Sequence, residues 1–339
     1  GARVAERAKA MGIGEVGSLA LPGSFRPHHY LEDILTLKRL SKALSLDVVH
    51  VHRGVEHWLA AAALTGKRRP ALVRSRHILL PVERSPFNRW LYNRATDRVV
   101  AAAEVIRQGY LGDGFFREEK FVTLAGGVDT EAFRPELDGQ ALRRRETLPL
   151  GVPLIGVVGT LAYMKGQEYL IRSMAILKER GSNALLLIIG QGGDEGKLRE
   201  LVRELGLEGY VLFMGFRPEL PPLMAALDIG VFPSISSEGT SRVLFEHMAA
   251  GKPLVATDVG CVREIVRHER EGLIVPPRSA EALAASILRL LEEPALRERM
   301  GREARCRAEE EFSRSALAFR MEGVYREAME ERLGGGRLQ

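Results

Sequence analysis

The sequence predicts an α/β protein of two doubly wound domains, each a parallel sheet flanked by helices. Strand-like and helix-like stretches alternate almost throughout the chain. At 339 residues it is too long for one ordinary core and suits two domains of roughly 150 residues each. A polar, proline-bounded stretch from Glu136 to Gly151 separates two halves of similar design.

The chain opens at Gly1 in a helical pattern over Ala2–Met11, followed by a candidate strand at Glu15–Leu21. Doubly wound domains ordinarily begin with a strand whose turn carries a phosphate-approaching glycine loop. The expectation is therefore a parent gene that encodes a further strand-helix-strand unit, of order 30 residues, ahead of Gly1. Further strands are expected at Asp47–His52, Ala71–Ile78, Asp97–Ala103 and Phe121–Leu124, with helices such as Leu31–Leu46 and Glu56–Leu64 between them. The second half predicts strands at Leu154–Gly159, Ala184–Ile189, Val211–Gly215, Gly230–Pro233, Pro253–Thr257 and Leu273–Val275. Its helices fall at Gln167–Arg180, Lys197–Leu205, Leu220–Leu227, Thr240–Ala250, Val262–Arg267 and Ala280–Leu291. From Pro294 to Leu333 the chain is helical and highly charged, in the pattern of a helix packed across the molecule. The domains expected are 1–136 and 151–310, with a linker over 137–150 and a crossing helix and disordered tail over 311–339.

Composition excludes several classes. Hydrophobic content of 45% and charged content of 27% are those of a globular protein. No apolar run approaches the roughly 18 to 20 residues that span a bilayer, and no secretory signal opens the chain. Cys261 and Cys306 make neither a disulfide framework nor metal-ligand spacing, which points to a reducing cytoplasm. A net charge of +5 leaves two readings open: a solvated surface with Arg–Glu pairs, or peripheral contact with anionic lipid at the inner membrane face. The clusters Lys67-Arg68-Arg69 and Arg143-Arg144-Arg145 suit either. No basic stripe is interleaved with aromatics, so nucleic acid is not an expected partner.

The most informative segment runs from Pro233 to Gly251. A buried strand ends at Pro233, a small polar loop follows, and a helix begins near Thr240. Free N–H groups at that helix start, with the helix dipole behind them, suit a diphosphate. Gly239 lets a ligand approach the backbone. Glu238 in the loop can accept hydrogen bonds from sugar hydroxyls, and Glu246, about two turns into the helix, from a ribose diol. Two glutamates eight apart mean little alone, since Glu200 and Glu208 share the spacing on a solvated helix face.

This segment resembles glycosyltransferase family 4, the glycosyl transferases group 1, whose members are retaining enzymes of the two-domain GT-B fold. The resemblance rests on Glu238-Gly239, Val243-Leu244, Glu246-His247-Met248-Ala249 and Gly251-Lys252-Pro253, and continues through Glu264 to Gly272-Leu273-Ile274-Val275-Pro276. A second motif reads Val158-Gly159-Thr160-Leu161-Ala162-Tyr163-Met164-Lys165-Gly166, and the resemblance makes Lys165 a ligand of the donor diphosphate. Thr160 stands where the family often has arginine, which leaves the diphosphate one cation fewer. Gly190-Gln191-Gly192-Gly193-Asp194-Glu195 fails the dinucleotide fingerprint at its last position. Gly215-Phe216-Arg217 matches a loop near the nucleotide base, where Arg217 either touches the donor or is a plain surface residue.

The resemblance implies a nucleoside diphosphate sugar, UDP-sugar favoured, on the C-terminal domain, with an acceptor on the N-terminal domain. Donor binding then falls to Gly159, Thr160, Lys165, Arg217, Glu238, Gly239, Thr240, Ser241, Val243 and Glu246, and chemistry to Glu238, His77 and Lys165. His77 takes the place of a histidine that faces the donor sugar across the cleft. His50 and His52 read as strand-end residues and not as metal ligands. No metal or other cofactor is expected. The acceptor is a saccharide, with a lipid-linked or cell-envelope glycan one possibility. Alternatives are a nucleotide-sugar epimerase of the same architecture, a non-catalytic sugar-nucleotide-binding protein, and a nicotinamide dehydrogenase, which the failed fingerprint opposes.

Overall fold

A computed structural model describes residues 27–66, 69–236 and 241–332. The expected first helix and strand, Lys67, Arg68, and the loop residues Glu238, Gly239 and Thr240 lie outside the described residues. So does the segment on which the expectation of a further leading unit rests.

The first half runs α1 (Pro27–Ala43), β1 (Val48–Val51), α2 (Gly54–Ala63), β2 (Ala71–Arg76), α3 (Pro86–Trp90), β3 (Arg98–Ala101), α4 (Glu104–Gln108) and β4 (Phe121–Thr123). After it come α5 (Gly139–Arg145), β5 (Leu154–Val158), α6 (Gln167–Glu179), β6 (Leu185–Ile189), α7 (Glu195–Glu204) and β7 (Val211–Gly215). The chain continues with α8 (Pro221–Ala226), β8 (Ile229–Phe232), α9 (Arg242–Ala249), β9 (Leu254–Thr257), α10 (Val262–Ile265) and β10 (Gly272–Val275). Three helices finish it: α11 (Ala280–Glu292), α12 (Pro294–Glu311) and α13 (Arg314–Arg332).

Two wholly parallel sheets result, β1-β2-β3-β4 and β10-β9-β8-β5-β6-β7. Their central strands are apolar on both faces because helices cover both sides, as in Leu185–Ile189, where every residue is buried. In the second sheet the strand order reverses between β5 and β8. That is the topological switch point at whose carboxyl edge open α/β sheets bind ligands.

The stretch expected as a linker contains α5, capped by Asp138, whose side chain accepts from the Ala141 N–H at 2.8 Å. Arg143, expected on the surface, is buried instead: Nε and Nη2 donate to the Ala226 carbonyl and Nη2 to Asp228 at 2.8 Å. Its aliphatic stem and paired head let a cation close the base of the second sheet. The helix expected from Thr240 is seen from Arg242, with Ser241 as its extended N-cap.

The charged tail is two helices, divided at Phe312–Ser313. α13 returns to the first domain, where Val324 and Ala328 pack on Ala71, Val73 and Val100 of β2 and β3. One apolar cluster joins the halves, with Ile106 and Phe121 at one end and Phe245, Met248 and Phe312 at the other. The Phe245 and Phe312 rings meet edge to face, 4.9 Å between centroids.

Candidate functional site

The carboxyl ends of β5, β6 and β7 are stacked by backbone contacts that only glycine permits. Gly190 has φ +141°, and a Cβ there would lie 1.9 Å from the Gly159 carbonyl oxygen. Its N–H donates to the Gly215 carbonyl, and the Gly159 N–H to that of Ile189, both at 2.9 Å. The turns enclose a pocket of about 440 Å³ lined by Gly159, Thr160, Gly190, Phe216, Arg217 and Leu220, among others.

Arg217 reaches this pocket but is held by the protein. Its Nε donates to the Met214 carbonyl at 3.0 Å, and its Nη2 to Glu146 at 2.8 Å. Phe216, which the sequence reading passed over, is the exposed aromatic ring of the same pocket. An exposed phenyl beside two glycine turns suits a flat heterocycle better than a tethered guanidinium does.

Leu220 also borders a second pocket, of about 310 Å³, whose polar wall is Asp129, Arg242, Glu246 and Arg314. Glu246 is only 6% exposed, and its side-chain partner among the described residues is Arg242, at 3.4 Å one turn back on α9. Burial pushes its carboxyl pKa up, against the opposing pull of Arg242. The apolar side of α9 (Leu244, Phe245, Met248, Ala249) is sunk in the core, which fixes the carboxylate at the pocket wall. Val243 is half-buried and packs on that core, so its backbone, and not its side chain, is what it offers a ligand.

Lys165 ends a single 3₁₀ turn, Tyr163–Lys165, before Gly166 starts α6 in the left-handed region at φ +67°. A Cβ on Gly166 would lie 2.0 Å from the Pro233 carbonyl oxygen, and the Ile235 N–H donates to the Met164 carbonyl at 3.0 Å. The turn that carries Lys165 is thus pinned to the loop after β8, across the switch point. Ser241 closes that loop. Its backbone hydrogen-bonds the Cys261 thiol, whose pKa burial raises to about 11, which leaves Cys261 a poor nucleophile.

His77 lies on the other domain, just beyond β2. Its Nε2 is 3.3 Å from Nδ1 of His52, with the rings stacked. His50 bonds Ser75 at 2.8 Å and the Tyr325 hydroxyl of α13 at 2.7 Å. Burial lowers the pKa of all three histidines, that of His50 to about 4. No group of three or more His, Cys, Asp or Glu among the described residues is placed to hold a metal.

The structure therefore gathers Gly159, Thr160 and Arg217 in one pocket, Glu246 in the adjoining one, and Lys165 against the loop that leads to Ser241. Residues 138–307 match the family described as glycosyl transferases group 1, and residues 2–132 that described as glycosyltransferase family 4. The chain belongs to the group 1 glycosyltransferases. It is 33% identical over 244 residues to alpha-D-kanosaminyltransferase of Streptomyces kanamyceticus, 70% of this chain and 59% of that protein. A glycosyltransferase of Rickettsia africae superposes with a TM-score of 0.86 at 21% identity, covering 99% of this chain and 89% of that one. Anabaena HepE in complex with UDP superposes with a TM-score of 0.77 at 24% identity, over 88% and 84% of the two chains. The fold is GT-B: two parallel-sheet, Rossmann-like domains. The matched regions span 52% to 59% of the length of the first curated relatives.

Proposed function

We propose that this chain transfers a sugar, with retention of anomeric configuration, from a nucleoside diphosphate sugar to a saccharide acceptor. A UDP-sugar is the favoured donor, and a lipid-linked or cell-envelope glycan is one acceptor open to it, beside a soluble saccharide. The observation that carries the reading is the pair of pockets meeting at Leu220. The first takes the base against Phe216 and the glycine turns; the second offers the Glu246 carboxylate to the ribose diol. Lys165 and the backbone amides from Gly239 to Ser241 then stabilise the leaving diphosphate, a preorganised electrostatic contribution. Glu238 orients the sugar, and His77 faces it from the first domain. In the proposed step the bond between anomeric carbon and diphosphate oxygen breaks. The acceptor oxygen bonds to that carbon on the same face, and its proton passes to the departing phosphate. No metal is required in this scheme. The cytoplasm is the proposed location, with peripheral contact at the inner membrane face.

The reading is tested by the thermal shift of this chain with UDP, GDP, ADP and NAD, beside Glu246→Ala. A ligand bound only by the folded state raises the melting temperature by mass action. Stabilisation by one nucleoside diphosphate, lost in the variant, is the expected result. Stabilisation by NAD alone would overturn the reading.

A further inference from the structure

Arg74 and Arg76 alternate with Ser75 on β2, so their side chains leave the same face of the first sheet. Arg74 is buried at 2% exposure, and its Nε and Nη1 have no hydrogen-bond partner among the described residues. The Nε of Arg76 and the hydroxyl of Tyr110, itself buried at 2%, are likewise unpartnered. Arg76 lies over the Tyr110 ring, 5.6 Å from its centroid. Among the described residues neither arginine makes an ion pair. The charged and titratable groups that surround Arg74 are Arg76, Tyr92, Tyr110 and the histidines His50, His52, His57 and His77, with no carboxylate among those that shift its pKa or theirs except Glu56. Glu56 is already taken by Arg53 and by the backbone N–H groups of His52 and Arg53.

Four buried polar atoms, Arg74 Nε and Nη1, Arg76 Nε and the Tyr110 hydroxyl, are thus left unsatisfied, and the neutral Tyr92 hydroxyl beside Arg74 and Tyr110 brings no counter-charge. A buried, unpaired guanidinium is strongly unfavourable, and packing does not explain Arg74 beside a second, half-buried arginine on the same strand end. The species that satisfies such a set is an oxyanion, which accepts hydrogen bonds and donates none, and arginine's planar fork matches phosphate geometry. Half-buried Arg76 stands at the end of the strand beside exposed His77, which gives the approach. The segment after His77 is tied to the strand end by one bond from Arg76 Nη2 to the Leu80 carbonyl at 2.8 Å.

We propose that Arg74, Arg76 and Tyr110 form a receptor for a phosphate group on the acceptor, so that the acceptor is a phosphorylated molecule. The assignment of this phosphate to the acceptor rests on the transferase reading above. The site is on the domain opposite the donor pockets, and its residues are separate from Lys165 and Glu246. A phosphorylated soluble sugar and a lipid phosphate would both supply the group. Exposed Leu80, Phe87 and Trp90 follow on the same segment.

The test uses inorganic phosphate as probe, with sodium chloride at matched ionic strength as control, on the native chain saturated with UDP. Phosphate is expected to raise the melting temperature beyond the UDP effect, and Arg76→Met to abolish that rise. Arg74→Met is expected to do the same while raising the melting temperature of the unliganded protein by about 2 °C or more, because an unpaired buried charge is removed. Loss of the phosphate effect when UDP is added would give the site to the donor and overturn the proposal. So would an undiminished phosphate effect in Arg76→Met. If UDP and GDP do nothing but phosphate still acts through Arg76, the transferase reading fails and the anion site stands. Sedimentation with vesicles of phosphatidylcholine, with and without phosphatidic acid, separates the sources: binding that requires phosphatidic acid and Arg76 assigns a lipid phosphate, and phosphate binding without it a soluble one.

Discussion

The carboxylate of Glu264, in the second domain, caps α4, the helix that begins at Glu104 in the first. Its Oε1 accepts from the Val105 N–H at 3.0 Å, and its Oε2 from the Glu104 N–H at 2.5 Å. The local N-cap, Ala103, has no side chain to offer, so two orphan donors of α4 are satisfied from across the molecule. The negative charge also sits at the positive end of the helix. Glu264→Ala is expected to cost about 1 kcal/mol, as other lost caps do. Calorimetry should show the two domains unfolding less cooperatively; an unchanged profile would mean that the contact does not couple them.

Glu246 is predicted to be required for nucleotide binding as a carboxylate. Glu246→Gln should weaken UDP binding by about tenfold or more, the weight of a hydrogen bond to a charged acceptor. Because burial raises its pKa, UDP affinity should fall with acid at a higher pH than an ordinary glutamate would give. The sign for stability is opposite. The contribution of this group is present below the ordinary glutamate pKa and lost as pH rises through the raised one. Glu246→Gln should therefore melt higher than the native chain at neutral pH, and titration by calorimetry in both checks binding and stability together.

His247 should make the protein acid-sensitive. It is fully buried, neither ring nitrogen has a partner among the described residues, and burial, with Lys252 adding, lowers its pKa to about 4. A lowered pKa means stability that is full above the ordinary histidine value of 6.5 and is lost as pH falls toward 4. From the size of that shift, His247→Leu should remove about 3 kcal/mol of the loss. Melting curves between pH 7 and pH 4 decide it. His50 and His57, lowered to about 4 and about 3, contribute the remainder and keep some acid sensitivity in the variant.

Gly230 and His247 should behave as one unit. A Cβ on Gly230 would lie 2.5 Å from Nδ1 of His247, and the fully buried ring cannot move aside. Gly230→Ala should cost about 1–3 kcal/mol, the usual range for overpacking. His247→Ala should relieve most of it, so a double-mutant cycle is expected to give a large coupling term. Additive effects would contradict the contact.

Gly166→Ala should weaken diphosphate binding without touching a ligand atom. The added methyl meets the Pro233 carbonyl and the left-handed backbone is strained, so the turn that presents Lys165 must shift. UDP affinity is expected to fall while uridine affinity holds; an equal loss of both would place the effect elsewhere.

Much of this was legible in the sequence. Strands such as Leu185–Ile189 are apolar on every residue, and a parallel sheet covered on both faces buries such a run. Gly159, Gly190 and Gly215 were visible as turns after strands, and Glu246 as a carboxylate on an otherwise apolar helix. What could not be read was anything set by distant partners. Arg143 looked like one of three surface arginines until Ala226 and Asp228 turned it inward. Arg217 read either as a donor contact or as a plain surface residue, and its tie to Glu146 was not visible.

The sequence by itself determined the alternation of strands and helices, the two sheets and the family, because these follow from local periodicity and from motifs contiguous in the chain. Only the tertiary structure decided that Leu220 joins two pockets, that Glu264 caps a helix 160 residues away, and that buried Arg74 and Tyr110 meet half-buried Arg76 without a counter-charge. Charge and hydrogen-bond balance depend on which groups meet in three dimensions, and no local pattern encodes that.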